Sequence, residues 1–203
     1  TTYTWMPGSL IGANVTVSPT VTTTYSVTGS NGGCTNTRTV TLLVNPTPTI
    51  TATATPTSIC SGSGATVALS ASGASTYTWS PGGLTGSAIS VTPGVTTTYT
   101  VNGTSAAGCV SNRTITVTVV TTPTVAASST SLTICSGNST TLSASGATTY
   151  TWNPGALTGA NVTVTPGTTT TYTVTGANGS CTDTETITIT VNASPTINAT
   201  ASP

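Results

Sequence analysis

The sequence predicts an all-β protein: a tandem series of small β-sandwiches of about 74 residues each, arranged as a rod or filament. Three observations carry this. Apolar and hydroxyl residues alternate over many short segments, the period of a strand buried on one face. Val, Ile, Thr, Tyr and Trp, the residues that favour strands, are plentiful. The same markers also return at a fixed interval, the signature of a repeat architecture.

The third copy shows the strands in order. Ser139 to Ala144 alternates hydroxyl and small apolar side chains. Tyr150 and Trp152 share one face, with Thr151 opposite. Val162 and Val164 face one way, Thr163 and Thr165 the other. Tyr172 and Val174 alternate with Thr171, Thr173 and Thr175. Ile187, Ile189 and Val191 alternate with Thr186, Thr188 and Thr190. Turn signals at Asn153-Pro154-Gly155, Pro166-Gly167 and Ala177-Asn178-Gly179 separate the strands. No segment carries a helical period of useful length, so each unit reads as a sandwich of short strands.

The repeat is marked four times over. Thr-Tyr-Thr-Trp occurs at 2–5, 76–79 and 149–152. A Pro with a Tyr six residues on occurs at Pro19/Tyr25, Pro93/Tyr99 and Pro166/Tyr172. Cys34, Cys109 and Cys181 recur, as do Cys60 and Cys135 within Ile-Cys-Ser-Gly. The implied division is a partial repeat at 1–45 lacking its first strands, complete repeats at 46–120 and 121–192, and the first strand of a following repeat at 193–203. Residue 1 falls 18 residues past the expected start of the preceding Ile-Cys-Ser-Gly segment, and no initiator Met or basic leader is present. A mature or internal piece of a longer protein is therefore expected. The connections at Asn45-Pro46-Thr47-Pro48, 120–123 and 192–195 are short and favour extended backbone.

Composition narrows function sharply. The 203 residues include 58 Thr and 25 Ser but no His, Lys, Phe or Gln. Only Arg38, Arg113, Asp183 and Glu185 are charged. Without His, Ser-His-Asp and Cys-His nucleophilic sites and imidazole metal ligands are excluded. Without Lys there is no Schiff base, P-loop or Lys-Asn isopeptide staple. Two arginines cannot neutralise enough phosphate for nucleic-acid binding. No apolar run approaches the roughly 20 residues of a membrane span. Asp183 and Glu185 share one predicted strand face and read as structural. No enzyme activity, cofactor or metal is expected. Arg38, Arg113 and Glu185 occupy one place, four residues after the second Cys, and read as guards of a strand edge.

Each unit has one Trp and two Tyr to anchor its core, so Trp5, Trp79, Trp152, Tyr25, Tyr99 and Tyr172 are the expected core residues. Pro93-Gly94 followed by Tyr99 looks like a tyrosine corner, whose hydroxyl bonds back to upstream backbone. The cysteines supply a staple that a core this small needs. The expected pairs lie within units: Cys60 with Cys109 and Cys135 with Cys181, each contributing about 4 kcal/mol by loop-closure entropy. The partner of Cys34 then lies outside the sequence. Disulfides imply an oxidising, extracytoplasmic setting.

Ile-Cys-Ser-Gly, then Ala-Ser-Gly-Ala-(Ser/Thr)-Thr-Tyr-Thr-Trp-(Ser/Asn)-Pro-Gly, then Thr-Pro-Gly-x-Thr-Thr-Thr-Tyr-Thr-Val, then Cys, resembles the immunoglobulin-like (PKD-like) repeats of Bacteroidota cell-surface proteins. Those include long adhesins associated with gliding motility and exported by the type IX secretion system. The resemblance spans the whole chain. It implies tandem immunoglobulin-like sandwiches outside the cell in a stalk or adhesin, and it carries over no catalytic residue. The second Cys lies nine or ten residues after the corner Tyr rather than two as in antibody domains. The bond is therefore expected to clamp one end of a sandwich.

The function these features support is structural and adhesive. The competing reading is a spacer or carbohydrate-binding module of a secreted enzyme. Outward Thr reads first as strand propensity with polarity, then as O-glycosylation, and least as an ice-binding array. The expected partners are copies of the chain or continuing repeats of it, head to tail. Covalent continuation and strand donation between subunits both remain open.

Overall fold

The computed structural model describes residues 1–200, and all regular structure among them is strand. The first repeat holds β1 (Thr2–Met6), β2 (Leu10–Ile11), β3 (Thr23–Asn31) and β4 (Cys34–Leu42). The second holds β5 (Thr51–Thr55), β6 (Ser58–Cys60), β7 (Val67–Ser72), β8 (Thr76–Ser80), β9 (Leu84–Thr85), β10 (Ala88–Val91), β11 (Thr97–Thr104) and β12 (Val110–Val120). The third holds β13 (Ala126–Ser129), β14 (Thr133–Cys135), β15 (Thr140–Ser145), β16 (Thr149–Asn153), β17 (Leu157–Thr158), β18 (Asn161–Val164), β19 (Thr170–Asn178) and β20 (Cys181–Asn192). Residues 193–200 carry no strand. The remainder of the expected following strand, 201–203, lies outside the described residues.

The first repeat is one sheet, ordered β2-β1-β3-β4. The second has a three-stranded sheet, β10-β7-β5, and a five-stranded sheet, β6-β12-β11-β8-β9. The third repeats both, as β13-β15-β18 and β14-β20-β19-β16-β17. This is the immunoglobulin-like strand order, with the A, B and E strands in one sheet and C, F and G in the other. The leading strand is split, and its second part crosses to run parallel to the last: β6 with β12 and β14 with β20. By contacts the chain forms two compact units, Thr1–Ala52 with Ser70–Ser87 and Thr100–Thr114, and Thr53–Leu69 with Ala88–Tyr99 and everything from Ile115 on.

In the second unit the third repeat has a closed core. Leu142 of one sheet and Trp152, Val174 and Ile189 of the other are fully buried. Tyr172 and Val174 point inward on β19 while Thr171 faces out, as the alternation requires. Outward Thr residues have a role of their own. Thr171 and Thr188 are cross-strand partners, and their hydroxyls are 2.8 Å apart. Thr98 with Thr116 and Thr24 with Thr41 repeat that contact at 2.8 Å. A hydroxyl on each strand thus supplies a neutral cross-strand bond where other proteins place opposite charges.

The Gly of Ala-Ser-Gly-Ala has a steric cause. Gly146 has φ +94, and a Cβ there would strike the carbonyl oxygen of Thr124; Gly73, with φ +101, stands likewise against Thr49. Only glycine lets the incoming connection pass so close.

Two expectations about the aromatics change. The backbone-bonded hydroxyls belong to the first Tyr of the unit, not the corner Tyr. Tyr150 Oη accepts from Ala147 N–H at 2.7 Å and donates to its carbonyl at 2.7 Å; Tyr77 does the same with Ala74 at 2.7 and 2.9 Å. The tight turn at Ala-Ser-Gly-Ala presents both backbone groups to the ring three residues on, so the pattern at Pro93 and Tyr99 is not needed for that bond. Trp79 and Trp152 are fully buried, but Trp5 is half-buried. All three donate Nε1–H to the carbonyl seven residues on, Gly12, Gly86 or Gly159, at 3.0 to 3.1 Å.

Candidate functional site: a stapled connection

The expected disulfides within units do not form. The structure bonds Cys60 to Cys181, with Cα atoms 5.6 Å apart, and leaves Cys34, Cys109 and Cys135 free. Strand register gives the reason. Cys135 stands opposite Asn192 at the end of β20, whereas Cys181 is the first residue of that strand. Eleven residues of strand separate the two ends, about 36 Å, far beyond the roughly 7 Å a disulfide spans. Cys60 likewise stands opposite Val120, at the end of β12 remote from Cys109. The bond therefore clamps no sandwich end to itself; it joins the second repeat to the third.

The connection that follows β12 is held from both sides. From the second repeat, Ser61 N–H donates to the Val120 carbonyl at 2.8 Å. Thr122 N–H donates to Ser61 Oγ at 2.9 Å, and Thr122 Oγ1 donates to the Ser61 carbonyl at 2.8 Å. From the third, Asn178 Nδ2 donates to the Thr121 carbonyl at 3.1 Å, and Asp183 Oδ2 accepts from Val125 N–H at 2.8 Å. Asp183 is thus a structural acceptor that ties the connection to β20. Cys181 is 1% exposed and its sulfur lies 3.9 Å from the Val120 carbonyl. The backbone of the connection is thus bonded to the second repeat at Thr122 and to the third at Thr121 and Val125.

The joint has a mechanical consequence. Cys60 and Cys181 are 121 residues apart in sequence. Tension along the chain passes through the sulfur bridge, and residues 61–180 cannot be drawn out while it is intact. In the loop-closure picture such a bond contributes about 5 kcal/mol.

The other singled-out residues fall as follows. Tyr25, Tyr99 and Tyr172 are buried, and burial raises the phenol pKa of Tyr99 and Tyr172 above its usual value. Arg38, Arg113 and Glu185 are exposed on β4, β12 and β20. Among the described residues no group of three His, Cys, Asp or Glu could hold a metal ion. No helix among them is long and apolar enough to cross a membrane. The sequence missed Ser61, Thr122 and Asn178. Their only signal was position, beside the Ile-Cys-Ser-Gly cysteine, in the connection and just before the second cysteine.

No protein-family model matches the chain, and no curated protein matches it. Solved structures do. Murine CEACAM1b is similar over 71% of this chain and 100% of its own, at 12% identity and a TM-score of 0.48. A three-domain immunoglobulin segment of titin is similar over 94% and 88%, at 12% identity and 0.43. A Ca2+-stabilized adhesin that helps an Antarctic bacterium reach out and bind ice is similar over 87% and 58%, at 20% identity and 0.40. The strand order shared by the second and third repeats is the immunoglobulin-like feature of this chain.

Proposed function

We propose that the chain is a non-catalytic, tension-bearing part of an extracellular bacterial surface stalk or filament, of the Bacteroidota, type IX-secreted kind its repeat motif resembles. One observation carries the reading: Cys60–Cys181 joins consecutive repeats and locks the 121-residue separation between its cysteines against extension. A catalytic domain has no need of such a bridge, whereas a stalk under shear does. The bond also requires the oxidising setting found outside the cytoplasm. The near absence of charge fits the role, because a surface with almost no net charge favours self-association. Copies or continuing repeats of the chain are the partners, head to tail. Gold-labelled antibody against this chain, imaged on intact source cells by electron microscopy, tests the reading. Label strung along surface fibres is expected. Label in the cytoplasm, or on discrete particles that co-purify with a glycoside-hydrolysing activity, would contradict it and favour the spacer reading.

A further inference from the structure

The first repeat has the aromatic sheet of an immunoglobulin-like sandwich without the sheet that covers it. In the third repeat β15 pairs with β18, and Leu142 of β15 shares the core with Trp152. In the first, residues 14–17 match β18 but form no strand. Trp5, Val15, Val17, Tyr25, Val40 and Leu42 instead line an open apolar groove of about 170 Å3.

A second feature of the same unit points to the same occupant. The Cys109 sulfur lies 3.6 Å from the carbonyl of Asn45. Cys181 lies 3.9 Å from the carbonyl of Val120, the equivalent residue 75 positions on. Cys181 is bonded to Cys60, whose Ile-Cys-Ser-Gly strand runs parallel beside Val120. Cys109 has the same seat and no partner cysteine.

We propose that the open face of β1–β4 and the Cys109 thiol form one docking site for a further segment of the kind found at 58–72, held there by a disulfide to Cys109. This rests on the tandem-repeat reading. The occupant is the leading segment of a further repeat, placed against β1 as β5–β7 are against β8 and β13–β15 against β16. A second copy is a poor donor, because its own two segments already pair within their repeats, β6 with β12 and β14 with β20. Bond formation needs an oxidant, and a low-molecular-weight disulfide such as oxidised glutathione suffices. The Cys109 thiolate displaces one glutathione thiol to form a mixed disulfide, and the segment's thiolate then displaces the second. Two protein thiols become one disulfide, and one glutathione disulfide becomes two thiols.

The test uses the full chain and a synthetic peptide of residues 57–74 in a glutathione redox buffer, with crosslinks located by non-reducing peptide mapping. One peptide per chain is expected on Cys109. It should exceed capture at the exposed Cys34 and Cys135, and of a scrambled peptide, by at least about tenfold, what burying one leucine-sized side chain provides. Leu42→Asp in the chain should abolish the preference while Cys60–Cys181, read in the same map, reports that the rest is folded. Labelling that follows exposure alone, equal capture of the scrambled peptide, or Cys109–Cys135 crosslinks between copies would each overturn the proposal. Surface fibres seen alongside any of those outcomes would leave the stalk reading intact.

Discussion

The first and third repeats carry nearly the same aromatic sheet and bury it very differently. Leu42 of β4 is 43% exposed, while Ile189 at the matching place of β20 is fully buried. Tyr3 is 38% exposed against 9% for Tyr150. Both sheets form the same pairings, Trp5 with Val27 and Trp152 with Val174. Both tryptophans make the same hydrogen bond. Strand pairing and local bonds are therefore properties of the aromatic sheet alone. The core is not. It exists only where the Val-x-Leu or Thr-x-Leu strand of the second sheet lies across the tryptophan.

The sharpest way to break this comparison is to pull the chain by its ends. The third repeat lies largely inside the Cys60–Cys181 loop and the first lies outside it. Under oxidising conditions the first repeat should extend at low force and residues 61–180 should not extend at all. Adding reductant should release about 400 Å more, at roughly 3.4 Å per residue. Equal extension with and without reductant would show that the bridge bears no tension.

Next in size is the tryptophan. Trp152→Ala should cost the third repeat about 3–5 kcal/mol, and Trp5→Ala about half that or less in the first, because only Trp152 leaves a closed cavity. Hydrogen exchange resolved to β19 and β3 reads each repeat by itself. Equal losses would mean that the first repeat is closed by something its own strands do not supply. A smaller contrast lies in Tyr150→Phe, which strips Ala147 N–H of its acceptor and should cost about 1–2 kcal/mol. Tyr3 has no such partner among the described residues, and Tyr3→Phe should be close to neutral. Smallest is the alkaline response. The raised pKa of Tyr172 favours the neutral phenol in the folded state. That contribution is complete below the ordinary phenol pKa of about 10 and is lost as pH rises through the higher folded value. Tyr172→Phe should flatten the fall in third-repeat stability above pH 10.

Much of this was legible in the sequence. Alternation placed Tyr172, Val174 and Ile189 on a buried face. The disulfide was not legible. Its pairing depends on which end of β20 the Ile-Cys-Ser-Gly strand meets. That is set by a split first strand crossing to run parallel to the last, and spacing along the chain holds no record of it. The hydroxyl bonded to backbone was misplaced for a related reason. Both Tyr150 and Tyr172 sit on alternating strands, and the turn that ends at Ala147, three residues before Tyr150, decides which ring reaches a peptide group. Ser61 and Thr122 were hidden because Ser and Thr fill 41% of the chain and carry no contrast.

The joint depends on the Cys60–Cys181 bond. Non-reducing proteolysis with mass-spectrometric mapping of the native, oxidised chain measures it directly. A peptide pair linking Cys60 to Cys181 is expected, with Cys135 in neither member. Recovery of Cys60 with Cys109 and of Cys135 with Cys181 would contradict it, returning each staple to its own repeat and leaving the connection without a covalent bridge.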